Sequence, residues 1–67
     1  MNKHESTTQK GLFFWAEKVN SEYDNLPICY MVVSQVEGFP ASEAWDDWFA
    51  CKSDADEISR KLAKGEL

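Results

Sequence analysis

Apolar residues fall along the chain in blocks separated by polar and turn-forming residues, and each block predicts an element. The first, residues 11–19, is dense in aromatics (Phe13, Phe14, Trp15) and is bounded by Gly11 and by the polar Asn20-Ser21-Glu22 cluster, a pattern that favours a strand. A helix competes for the same segment, because Leu12, Ala16, Val19 and Tyr23 recur at spacings of 4, 3 and 4, so periodicity alone does not decide. The next block does. Residues 28–36 read Ile-Cys-Tyr-Met-Val-Val-Ser-Gln-Val, and a strand of that composition needs a neighbour for its backbone N–H and C=O groups. Residues 20–27, with Asp24-Asn25 and Pro27, then supply the hairpin connection.

Glu37-Gly38-Phe39-Pro40 marks a turn, since Gly38 permits positive φ and the residue before Pro40 is pushed out of the helical region. Residues 41–52 are ambiguous. Ser42 could cap a helix carrying Ala44, Trp48 and Cys51, or Trp48-Phe49-Ala50-Cys51-Lys52 could form a third strand. The strand is favoured, because Ser53 followed by Asp56 resembles a capping box and implies that the chain is not already helical there. The helix that follows has complementary ends. Asp54, Asp56 and Glu57 stand in its first turn, Arg60, Lys61 and Lys64 near its end, and Gly65 at the closing position. Asp56/Arg60 and Glu57/Lys61 are spaced for ion pairs, and Ala55, Ile58 and Leu62 form the apolar stripe.

The predicted fold is therefore α+β: a small antiparallel sheet of two or three strands packed against a C-terminal α-helix, in the order β-β-β-α, with β-β-α-α as the alternative. Residues 1–10 hold nothing to bury and are expected to be a disordered polar tail; residues 11–67 form the single small domain. Neither central strand alternates apolar with polar. Phe13, Trp15 and Val19 point one way and Leu12, Phe14 and Ala16 the other, while Tyr30 and Val32 oppose Met31 and Val33. One helix cannot cover both faces. Either Phe39, Trp45 and neighbouring loop residues fold across the second face, or Phe13, Trp15, Met31 and Val33 form an oligomer face buried against another chain.

Composition sharpens this picture. The chain has 67 residues, 43% hydrophobic and 13% aromatic, which suits one small folded domain and not a disordered chain. The net charge of −5 is unevenly spread. Ten carboxylates lie between Glu17 and Glu57 (Glu17, Glu22, Asp24, Glu37, Glu43, Asp46, Asp47, Asp54, Asp56, Glu57) against Lys18 and Lys52 alone, whereas both ends are slightly basic. Direct nucleic-acid binding is disfavoured, because such proteins present clustered Lys and Arg to phosphates. A basic protein partner would be attracted instead. The plainer reading is a solvated surface that keeps an aromatic-rich domain soluble.

Catalytic chemistry finds little footing. The only histidine, His4, lies in the expected tail, so Cys29 and Cys51 have no base in view; both are read as buried thiols. No four-ligand metal set occurs at recognisable spacing, and Asp54 starts no Ca²⁺ loop, because residue 65 is Gly where Glu is required. Gly11, Gly38 and Gly65 are isolated and form no phosphate loop. The expectation is no enzyme, no cofactor and no metal. With neither an apolar run long enough for a membrane span nor a signal-peptide core, no membrane partner is expected, and the expected compartment is the cytoplasm.

What remains is binding. Glu43, Trp45, Asp46, Asp47 and Trp48, with Asp54, Asp56 and Glu57, set indoles beside carboxylates, and large aromatics recur at interface hot spots; as the edge of a core they would look much the same. The leading expectation is a small acidic protein-binding module that inhibits a target enzyme by occupying its basic nucleic-acid-binding surface, a mimic of phosphate charge. In size and charge the chain resembles small phage-encoded host-takeover and defence-inhibitor proteins; the resemblance covers composition alone and transfers no residue. An antitoxin-like partner of a basic toxin is a variant of the same idea. The alternative is a structural homo-oligomer or accessory subunit, associating through the apolar sheet face.

Overall fold

A computed structural model describes residues 2–19 and 28–67. Among these the chain is α+β, as the sequence predicts: a four-stranded antiparallel sheet in the order β1-β2-β3-β4, followed by one C-terminal helix. The elements are β1 (His4–Glu5), β2 (Leu12–Lys18), β3 (Tyr30–Val36), β4 (Ser42–Glu43) and α1 (Lys52–Lys64). The two apolar blocks form the central hairpin, paired from Leu12↔Val36 to Lys18↔Tyr30, and the Val19 N–H continues the pairing to the Cys29 carbonyl at 2.9 Å. The hairpin connection expected over residues 20–27 lies outside the described residues. Beyond β3 the expected turn is present. Phe39 N–H donates to the Val36 carbonyl at 2.9 Å, and Gly38 carries the positive φ of 89° that the third position of such a turn requires.

Within the polar N-terminal segment, expected from the sequence to be a tail, His4–Glu5 form a short edge strand. His4 and Glu5 pair with Phe14 and Phe13 along the free side of β2. Ser6 N–H donates to the Leu12 carbonyl at 2.7 Å, while its Oγ accepts from the N–H groups of Thr8 and Gln9 at 3.2 and 3.1 Å. Thr7 N–H reaches the Ala63 carbonyl at 2.8 Å, tying the segment to the helix. Its order comes from hydrogen bonds to turn and strand backbone, which a hydroxyl supplies and a hydrophobicity pattern does not register.

The third strand predicted within residues 41–52 is broken into two short pieces. Ser42 and Glu43 pair with Ser34 and Val33 as β4, and Phe49 forms a single bridge with Tyr30, N–H to carbonyl in both directions at 2.7 and 2.8 Å. Residues 41–51 contain no helix, so the β-β-α-α alternative is not adopted. The helix also starts earlier than the capping box implies. Its N-cap is Cys51, in extended conformation and without a side-chain cap bond, and Ser53 is already inside the first turn; the Cys51 carbonyl accepts from Asp54 and Ala55 N–H at 3.2 and 3.4 Å. Cys51 is therefore exposed and Cys29 half-buried, which corrects the expectation of two buried thiols.

The helix ends as predicted. Gly65, at φ 75°, donates to the Leu62 carbonyl at 3.2 Å and Glu66 to the Lys61 carbonyl at 2.9 Å, the paired bonds of a Schellman closure. Its buried line is Ala55, Ser59 and Ala63, flanked by half-buried Ile58 and Leu62. Ala55 meets Ala16 and Val32 in the core, with Tyr30, Ala44, Trp45 and Phe49 packed around them. Small residues at this contact let the helix approach the sheet closely. Ser59, fully buried, satisfies its hydroxyl by donating to the Asp56 carbonyl at 2.7 Å.

Candidate protein-binding surface

The loop from residue 43 to residue 48 is anchored at both ends and closed across its base. On one side Ala44 N–H donates to the Val32 carbonyl at 2.9 Å; on the other Phe49 is locked to Tyr30. Between them the Trp45 side chain packs into the core on the helix side, and Trp48 Nε1–H donates to Glu43 Oε2 at 2.6 Å. A charge-assisted bond of that length fixes the direction of the indole. Asp46 and Asp47 stand exposed at the tip. Of the two tryptophans that the sequence analysis places together here, Trp45 is a core residue and Trp48, 55% exposed, is a surface one.

The acidic residues do not share one face. Glu43 lies opposite Val33, and Glu17 opposite Met31, both on the sheet side away from the helix. Glu57 lies on the outer side of the helix and pairs with Lys61 at 3.5 Å. Asp56 does not stand ready for Arg60 or a partner: its Oδ1 is 2.8 Å from His4 Nε2. Asp54 is exposed in the first helical turn. Phe49 is fixed to Tyr30 at one end of the central hairpin and α1 begins shortly after it, with Asp54 in its first turn and Lys61 and Lys64 in its last. Glu43, Asp46, Asp47 and Asp54 form no ion pair among the described residues.

Phe13, Trp15, Met31 and Val33 do lie together on the sheet face opposite the helix, through the pairs Phe13↔Gln35, Trp15↔Val33 and Glu17↔Met31. Trp15 and Val33 are nevertheless buried, at 4% and 2% exposure, and Phe13 and Met31 are half-buried. Neither of the residues expected to fold across this face does so: Phe39 is 65% exposed and Trp45 packs on the other side. Part of the cover is Lys3, whose Nζ stands 4.5 Å from the Trp15 ring centroid. Lys3 and His4 were missed by the sequence analysis, and a single charged residue in a polar segment carries no signal that would have found them.

No group of three or more His, Cys, Asp or Glu among the described residues is placed to hold a metal ion, and no helix among them is long and apolar enough to cross a membrane. No family model matches the chain, and neither a curated protein nor a solved structure matches it.

Proposed function

We propose that the chain is a small protein-binding module, without an enzymatic reaction of its own, that docks its 43–48 loop against a basic surface of another protein. The observation that carries this reading is Trp48: more than half exposed, held by Glu43, and preceded along the chain by two carboxylates that form no ion pair among the described residues. An indole left in water and held in one orientation is the residue type and the preorganisation that interface hot spots use. The flanking charge sets the sign of the partner. A surface that fits is the phosphate-binding groove of a nucleic-acid enzyme, and a protein seated in that groove inhibits by occlusion. Association of copies through the Phe13/Trp15/Met31/Val33 face is the competing reading. The burial of Trp15 and Val33 within the chain weighs against it, because that apolar area is already out of water.

The test is a pull-down from nuclease-treated host lysate with three baits: wild type, Trp48→Ala and Asp46→Asn/Asp47→Asn. Expected is a basic protein retained by the wild type, released by moderate salt and lost with either variant. Retention only of further copies of the chain, persisting through high salt, would replace this reading with the oligomer.

A further inference from the structure

We propose that the outer edge of β2 takes the C-terminal end of another protein as an added strand, with the carboxylate of that end seated at the start of α1. Along β2 the backbone groups of successive residues face opposite neighbours. Gly11 and Val19 bond on the β3 side, through the Glu37 N–H and the Cys29 carbonyl, whereas Leu12 bonds to Ser6 and Phe14 pairs with His4 on the β1 side. By the same alternation Ala16 and Lys18 face outward. The chain leaves this edge before reaching them: Asn2, next in register opposite Ala16, makes no ladder bond with it, and the outward N–H and C=O groups of Ala16 and Lys18 have no backbone partner among the described residues. Ala16 is nonetheless only 4% exposed, and a buried backbone edge without a partner is a deficit that an extended chain fills. Beside it Asn2, Ala16, Lys52, Ser53 and Asp56 line a cavity of about 330 Å³.

The charge around this cavity selects which end of a chain enters. Among the described residues the N–H groups of Lys52 and Ser53 have no acceptor, Cys51 gives no side-chain cap bond, and the Lys52 ammonium has no ion pair. The Asp56 carboxylate is already held by His4 at 2.8 Å. An anion fits there. A strand antiparallel to β2 and collinear with β1 ends opposite Ala16 and brings its carboxylate to that point; a parallel strand would bring an ammonium against Lys52. In the antiparallel register the last residue exchanges bonds with Ala16 and the third from last with Lys18, while the residue between them points its amide away. This surface shares no residue with the 43–48 loop and needs no partner there.

An array of randomised hexapeptides, synthesised with free C-terminal carboxylates and again as amides, supplies the probe. Expected is a set of carboxylate peptides that bind, each weakened about tenfold as its amide. N-methylation should alternate in effect: at the last and third-from-last nitrogens it removes a ladder bond and weakens binding about tenfold, and at the nitrogen between them it leaves affinity unchanged. Lys52 is exposed, and Lys52→Gln should lose about threefold for the carboxylate peptides and nothing for the amides. Amide NMR shifts on titration should fall on Ala16, Lys18, Lys52 and Ser53. Absence of binders, equal affinity of acid and amide, N-methyl effects without alternation, or shifts confined to the 43–48 loop would each overturn the proposal.

Discussion

Trp15 lies on the sheet face away from the helix, 4% exposed, and its indole N–H has no partner among the described residues. Trp48 is 55% exposed, yet its N–H is given to a carboxylate. The two indoles invert the usual arrangement, in which the buried N–H is satisfied by protein and the exposed one by water. At Trp15 the apolar area removed from water outweighs an orphaned donor that costs about 1–3 kcal/mol. At Trp48 water would have served as well, and holding two side chains in one geometry costs conformational entropy. That ordering has little to do with stability and a great deal to do with the direction in which the ring faces. The chain thus carries two kinds of tryptophan: one buried on a sheet face and one held exposed in a loop.

The sharpest way to break the comparison is to truncate each ring. Trp15→Ala should cost about 3–5 kcal/mol, much of what a domain of this size has to lose, and urea denaturation should find the variant largely unfolded. A folded variant that merely dissociated would return the Trp15 face to the role of an oligomer surface. Trp15→Phe sharpens the same point: it removes the orphaned donor along with part of the area, and its loss should be far smaller than that of the alanine variant.

Next in size is the helix side. Ala55 is fully buried against Ala16 and Val32, so Ala55→Leu should overpack the contact and destabilise by about 1–3 kcal/mol, read from the same denaturation curves. Gly65→Ala should cost about 1 kcal/mol, because the left-handed conformation at φ 75° is strained for any residue with a Cβ. Among the described residues the added methyl would meet Thr8 Cγ2 at 3.9 Å, an ordinary contact, so the loss is of backbone origin. The smallest stability effect belongs to Trp48→Ala, within about 0.5 kcal/mol as for other exposed positions. Partner binding should nonetheless fall, and a melting-temperature drop as large as that of Ala55→Leu would show the ring to be structural.

Much of the frame was legible in the sequence. The two strands of the central hairpin, the turn at Gly38 and the helix closed by Gly65 all depend on composition or chirality within a few residues. The division of the strand faces was legible too, since Phe13/Trp15 and Leu12/Phe14/Ala16 separate by the period of the pleat alone. Misreadings came where a local signal had a distant competitor. Ser53 and Asp56 resemble a capping box, but the helix is capped by Cys51 and starts at Lys52, and Asp56 is engaged by His4, 52 residues away in sequence. Residues 41–52 show both helical and strand patterns, and the ladder bonds of Ala44 to Val32 and of Phe49 to Tyr30 decide between them. The candidate site was legible as a composition, indoles among carboxylates, and not as a geometry.

The sequence by itself determined the class of the fold, the two-sided apolar strands and the acidic middle of the chain, because periodicity, turn chemistry and charge act over short stretches of backbone. Tertiary structure alone decided that Trp45 is core and Trp48 is surface, that the polar first residues add a strand, and that Asp56 is engaged by His4. Each of those outcomes depends on which side chain arrives from a remote part of the chain, and no local pattern encodes that.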